Sequence, residues 1–297
     1  MRRRHVLGFA LFCLLSGSGW LVDNAYPSPL PALERQALHD LVIALAAAAF
    51  LIFKRRSPQP IPLLRIATAS ILLLGLPASL NELAHSVSAT SGLALFALVP
   101  LFLIVGAIAF NPSSPNPQPS RALMTPALIG FVGALLLPAF QFPSTTHGAF
   151  LFALVFAAAL STAAGSLWIY TLLRGHDLAP ALAIFCGANA LFLGIVAPLT
   201  SPIVSPASSL PHELLRALDL PQLLLFLWLL RELDPIRFGS RFLLVPLLSV
   251  LEGVILVHPP IDPRLGLAAL FMAIGGVTLL FANAPADAES PPSLNLR

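Results

Sequence analysis

The chain has 297 residues, of which 57% are hydrophobic and only 10% charged, with a formal net charge of +3. A soluble domain carries roughly 25% charged residues, so a mean hydropathy of +0.89 excludes a globular protein that covers its own surface in water. The basic residues sit at the ends of apolar runs and form no nucleic-acid-binding patch.

Ten apolar segments follow one another, each close to the roughly 20 residues that cross a bilayer as a helix. Helix is the expected state, because lipid offers no partner to open backbone groups. The first covers 6–22 and carries Trp20. Its basic start and small residues also fit a signal peptide, although the apolar run continues through Leu21 and Val22. The second, 38–53, has a small-residue face at Ala44 and Ala46 to Ala49, with His39 and Asp40 read as interfacial at its opening. The third, 62–80, ends at Asn81, Glu82 and His85. These read either as a solvated loop or as a gate in which His85 titrates near neutral pH.

The fourth segment, 91–110, contains Pro100, and the Pro-rich stretch 111–120 reads as a loop. The fifth and sixth, 123–140 and 149–173, fill the interval between Arg121 and Arg174, which holds no Asp, Glu, Lys or Arg. Trp168 lies near the end of the sixth, where a membrane-interface belt is the default reading, and with Trp20 of the equivalent first segment it is the alternative candidate to shape an apolar substrate site. The seventh, 179–199, carries Asn189 in mid-span, either as hydrogen-bonding glue between helices or as a cavity-lining group. The eighth, 213–232, carries Asp219 and Gln222 near its start and runs into the mixed cluster Arg231, Glu232, Asp234 and Arg237. That cluster reads as a solvated face or as an inner gate of ion pairs.

The ninth segment, 239–257, holds Pro246 and the acid Glu252. A charge there is costly in lipid, so it must face the bundle interior, be protonated or pair. Substrate or proton handling and internal pairing are both open for it. The tenth, 264–282, precedes a polar tail, 283–297, that reads as disordered. With both termini in the cytoplasm, ten crossings place all of the 16 basic residues except Arg35, Arg216 and Arg264 on the cytoplasmic side, as the positive-inside rule asks. Cys13 and Cys186 lie in apolar segments and read as small core residues. No metal-ligand cluster, phosphate loop or nucleophile elbow is visible, so neither cofactor nor enzyme activity is expected.

A repeat organises the segments. Residues 95–101 read LFALVPL and 241–247 read RFLLVPL, about half a chain apart. The same offset aligns Gly130 with Gly276. Two homologous halves of five spans must enter the membrane in opposite directions, which makes an inverted repeat. The expected units are 1–141 and 142–282. Pro100 and Pro246 each lack an N–H, so the carbonyls of Phe96 and Phe242 lose their helical donors and the helices are expected to kink.

The order of elements resembles the EamA-like proteins of the drug/metabolite transporter superfamily. The resemblance rests on Ala84 to Gly92 leading into the Pro100 helix, on Ser240 to Val257, and on Leu265 to Leu280 with Gly266, Gly275 and Gly276. Ser16-Gly-Ser-Gly-Trp20 is a rearranged form of a motif found early in many members. The glutamate that members often carry after the proline is absent: Asn111 or Pro112 and His258 stand there. The resemblance implies an all-α membrane protein of ten helices in a 5+5 inverted repeat. It also implies a secondary transporter of small organic metabolites or drugs, read as an exporter with proton coupling as one option, working by alternating access in a bacterial inner membrane. The central cavity is then expected between helices one, three, four, six, eight and nine. Expected partners are a small-molecule substrate and the lipid bilayer, with no nucleic acid, in a monomer or homodimer. A membrane-embedded enzyme acting on lipid intermediates and a non-transporting scaffold subunit are the rival classes.

Overall fold

The computed structural model describes residues 3–21, 30–54, 62–110, 122–138, 140–173, 176–200, 219–258 and 262–281. The loop 111–120 and the tail 283–297 lie outside these residues. Among the described residues the regular structure is entirely helical. The elements are α1 (Arg3–Leu21), α2 (Ala32–Lys54), α3 (Leu63–Leu83), α4 (Ala89–Ala109) and α5 (Met124–Leu135). They continue with α6 (Thr146–Leu173), α7 (Leu178–Thr200), α8 (Asp219–Glu232), α9 (Pro235–Val257) and α10 (Pro263–Phe281). Eight are long and apolar enough to cross a membrane, while α5, with 12 residues, and α8, with 14, are shorter.

The surface is apolar where a soluble protein would be polar. Ile52, Phe53, Leu64, Leu199 and Ile255 are among many large side chains left largely exposed. The interior, in turn, holds Asp40, Ser70, Ser91, Thr162, Ser166, Asn189, Ser240 and Arg241. An apolar envelope around every side, with polar groups turned inward, is the surface of a bundle solvated by lipid. The protein is a multi-pass, all-α membrane protein.

Packing follows a definite pairing. α2 lies along α7, and α5 along α10. α1 packs on α8 and α9, and α6 packs on α3 and α4. Small residues set the closest approaches. A Cβ on Gly275 would stand 2.6 Å from the Gly130 Cα, and one on Gly165 would stand 2.6 Å from the Leu73 backbone nitrogen. Such separations require glycine at those crossings.

Four helices are not continuous α-helix, and the first of them, α1, is interrupted by a turn at Ser18. α3 changes to a π-helix over Ile71–Gly75, where the Leu76 N–H donates to the Ile71 carbonyl. Pro77 has no N–H to give to the carbonyls four and five residues before it. Ser161 of α6 supplies one of the missing donors, its hydroxyl donating to the Leu72 carbonyl at 2.7 Å. α4 is split between Phe96 and Val99, with Pro100 in the first turn of its second piece. α9 is split at Ser240.

The two matched prolines therefore act differently. Pro100 follows a break, whereas Pro246 lies within the uninterrupted stretch Arg241–Val257. The earlier break in α9 follows from Asp234-Pro235 at its start and from Ser240, whose hydroxyl donates to the Arg237 carbonyl at 2.6 Å.

Candidate functional site

Between α1, α2, α3 and α8 lies a cavity of about 410 Å³, lined by Phe12, Arg35, Gln36, His39, Asp40, Leu74, Gln222, Leu223 and Phe226, with Ala32 at its rim. It opens at the end of the bundle where α2 begins, remote from Lys54. α4, α6 and α9 do not contribute to its lining, and α2 does, so this is a different space from the one expected between the six helices. Among the described residues α3 packs along α7, whereas α8 meets α2 at only a few places and leaves a gap between them. The space left by that gap is the cavity.

Asp40 forms part of the cavity floor. It was expected at the interface, but α2 starts at Ala32 and carries it two turns into the helix, roughly 12 Å at 1.5 Å per residue. Asp40 and Asn189 are both fully buried, and the Asn189 amide Nδ2–H donates to Asp40 Oδ2. The other oxygen of each, Asp40 Oδ1 and Asn189 Oδ1, is sealed from solvent and receives no hydrogen bond. Asn189 Oδ1 lies against Gly75, at the end of the π-helix, where a Cβ would come within 2.7 Å of it. The Cys186 thiol is in hydrogen-bonding contact with the Asp40 carboxyl. Asn189 was legible as a mid-span amide. Asp40 was visible but placed at the wrong depth.

Gln222 lines the cavity and its amide Nε2–H donates to Ser16 Oγ at 3.0 Å, tying α8 to α1. Glu252 is brought together with Trp20. Its carboxylate accepts from Ser18 Oγ–H at 2.7 Å and from the Trp20 indole N–H at 3.2 Å. The Ser249 hydroxyl adds a bond to the Gly17 carbonyl at 3.0 Å. Together these make a polar seam between α1 and α9, near the same end as the cavity mouth, although Glu252 is not among the cavity-lining residues.

The remaining residues expected at a site lie elsewhere. Asn81 and Glu82 are at the end of α3, half-exposed and outside the cavity lining, and exposed His85 points its Nδ1 to the Glu82 carbonyl at 3.1 Å. Trp168 faces outward on α6, 36% exposed. At the opposite end of the bundle, Glu232 meets Arg4 at 3.7 Å and His5 at 3.5 Å, so it joins α8 to α1. Arg231 is half-exposed, while Asp234 and Arg237 make contacts of their own.

Sequence reading missed one group. Arg241 appeared only as one more basic residue, yet it is buried, and its guanidinium lies over three rings, Phe238 at 4.0 Å, Phe242 at 4.5 Å and Phe226 at 4.8 Å. Phe12, Phe226 and Phe238 cluster with centroids 5.4 to 6.0 Å apart. Phe12 and Phe226 are also cavity floor, so an aromatic plug enclosing a cation closes the cavity toward the Lys54 end. The Phe-rich runs around 226 and 238–242 were the available signal.

No family model matches the chain, and no curated protein matches it. Among solved structures, a crystal structure of a protein superposes with a TM-score of 0.70 at 20% sequence identity, covering 94% of this chain and 99% of its own. That likeness is one of fold.

Proposed function

We propose that the chain is a secondary transporter of small organic solutes that works by alternating access. The reading takes the ten helices as a 5+5 inverted repeat, 1–141 and 142–282, of the EamA-like kind, with both termini cytoplasmic. An exporter in a bacterial inner membrane is the version we favour. Exchanging each helix with the one five places later maps the main helix contacts onto one another. The α1–α9 contact becomes α6–α4, α1–α8 becomes α6–α3, and α2–α7 and α5–α10 each return to themselves. Residues at the repeat offset also meet in pairs, as residues on a two-fold axis must. The Phe96 and Phe242 rings stack with centroids 5.8 Å apart, and Asp40 adjoins Cys186.

The observation that carries the proposal is the place where this symmetry fails. Among the described residues, which leave out the repeat counterpart of the first turns of α3, α3 packs along α7 while α8 meets α2 only beside the cavity. One closed and one open copy of the same interface is what a two-state gate looks like when caught in one state. Swapping which copy is open would move the cavity to the other face. The Glu252 seam holds α1 to α9 on the open side, and the aromatic plug closes the other.

The test is uptake of a panel of radiolabelled amino acids, nucleosides and lipophilic drugs into proteoliposomes. The expected result is saturable movement of at least one compound, lost when Gln222→Trp fills the cavity. Fluxes equal to those of empty vesicles across the panel would reject transport.

A further inference from the structure

Two acceptor oxygens sealed in the middle of a membrane bundle, without a donor, call for an explanation, since each unsatisfied buried polar group costs about 1–3 kcal/mol. Asp40 Oδ1 and Asn189 Oδ1 are such a pair. No basic side chain pairs with Asp40 among the described residues. Among the described residues, the titratable or charged groups near it are Cys186 from α7, whose thiol is in hydrogen-bonding contact with it, and, at the cavity wall, Arg35 and His39 of its own helix. α3 presents Leu74 and Gly75, α8 presents Gln222, Leu223 and Phe226, and α1 presents Phe12.

We propose that the Asp40–Asn189 pair is a proton-loading site, in which Asp40 Oδ1 takes a proton from water in the cavity and releases it to the opposite side. The inference deepens the transport reading and rests on it. Protonation forms one O–H bond, leaves hydroxide or neutral water behind, and changes no oxidation state. It turns an orphaned acceptor into a donor and cancels the buried charge. A metal ion would need several more oxygen ligands, and no group of three or more His, Cys, Asp or Glu converges among the described residues.

Position supports the same assignment. The pair lies between the two interfaces that differ. The parted α8–α2 interface leads from Asp40 to one face of the bundle, while the packed α3–α7 interface covers Asn189 with Gly75. Exchanging the two would expose the same pair to the other face. Glu252 lacks this property, because both of its oxygens already accept from Ser18 and Trp20.

Infrared difference spectra of the full-length protein in proteoliposomes, between acid and alkaline baths in water and deuterium oxide, test this without any substrate. We expect a protonated-carboxyl band that shifts on deuteration, is lost in Asp40→Asn, is displaced in Asn189→Leu, and stays in Glu252→Gln. If Asp40→Asn does not fold, displacement of the band in folded Asn189→Leu decides. A band that survives Asp40→Asn, one unmoved in Asn189→Leu, or the absence of any band in the unsubstituted protein overturns the proposal. So does a band cleared by replacing potassium with sodium at fixed pH, which would mark an alkali-cation site. Because the readout needs no transported compound, failure of the uptake panel and failure of this assignment are separate results.

Discussion

At the scale of single residues, Arg241 separates what stability needs from what function needs. Its guanidinium lies 4.0 to 4.8 Å from three phenylalanine rings, and among the described residues no carboxylate forms an ion pair with it. Each such contact is worth about 0.5–2 kcal/mol, but burying the charge costs several kcal/mol. A well-packed apolar side chain of similar length should therefore be tolerated better than a weaker cation. We expect Arg241→Met to be neutral or stabilising in thermal unfolding in detergent, and Arg241→Lys to be destabilised by about 1 kcal/mol, since a compact ammonium stacks on rings less well than a planar fork. An Arg241→Met variant that unfolds earlier than Arg241→Lys would mean that the cation itself holds the plug together.

At the scale of elements, the π-helix in α3 shows how one missing N–H reorganises a crossing. Pro77 removes donors, the register slips over Ile71–Gly75, and Ser161 bonds the Leu72 carbonyl from the neighbouring helix. Ser161→Ala should then cost about 1–3 kcal/mol by orphaning that carbonyl. In Pro77→Ala the N–H returns, and the same Ser161→Ala change should cost less. Thermal unfolding of the four proteins of this double-mutant cycle measures the coupling. Additive effects would show that Ser161 and Pro77 act independently.

The same element shows why part of the structure was legible and part was not. The long apolar runs marked ten segments, and eight of them are helices long and apolar enough to span, because length and hydropathy are local properties. A π-helix depends on which neighbour supplies a hydroxyl, and Ser161 is far from Leu72 in sequence. Pro100 and Pro246 looked equivalent, yet the breaks fell at Ala97–Leu98 and at Ser240, where local caps and neighbouring helices decide the outcome. Asp40 was misplaced because Glu34, Arg35, His39 and Asp40 resemble a polar loop. The helix nevertheless starts at Ala32, and Arg35, His39 and Asp40 line the cavity. Glu252 and Trp20 were chosen separately as polar or aromatic groups in spans. Their hydrogen bond joins the first helix to the ninth, a contact that no spacing rule reveals.

At the scale of the whole molecule, the unequal pair of interfaces makes a prediction about reciprocity. Gln36 lines the cavity, on the parted α2 side. The residue related to it by the repeat offset is Leu182 on α7, which packs against the hydrophobic core. If the two halves exchange roles, exposure at one position requires closure at the other, since a single dyad relates them. Single cysteines at these positions, labelled with a membrane-impermeant maleimide, read this directly. The native Cys13 and Cys186 are buried and contribute little background. In the state described here, Gln36→Cys should react from the bundle face remote from Lys54, and Leu182→Cys should be protected. Any solute or pH change that slows labelling at position 36 should speed it at position 182, from the opposite face. Rates that rise and fall together would mean that the bundle loosens as a whole. Rates that never change would leave the cavity a fixed recess in a static scaffold.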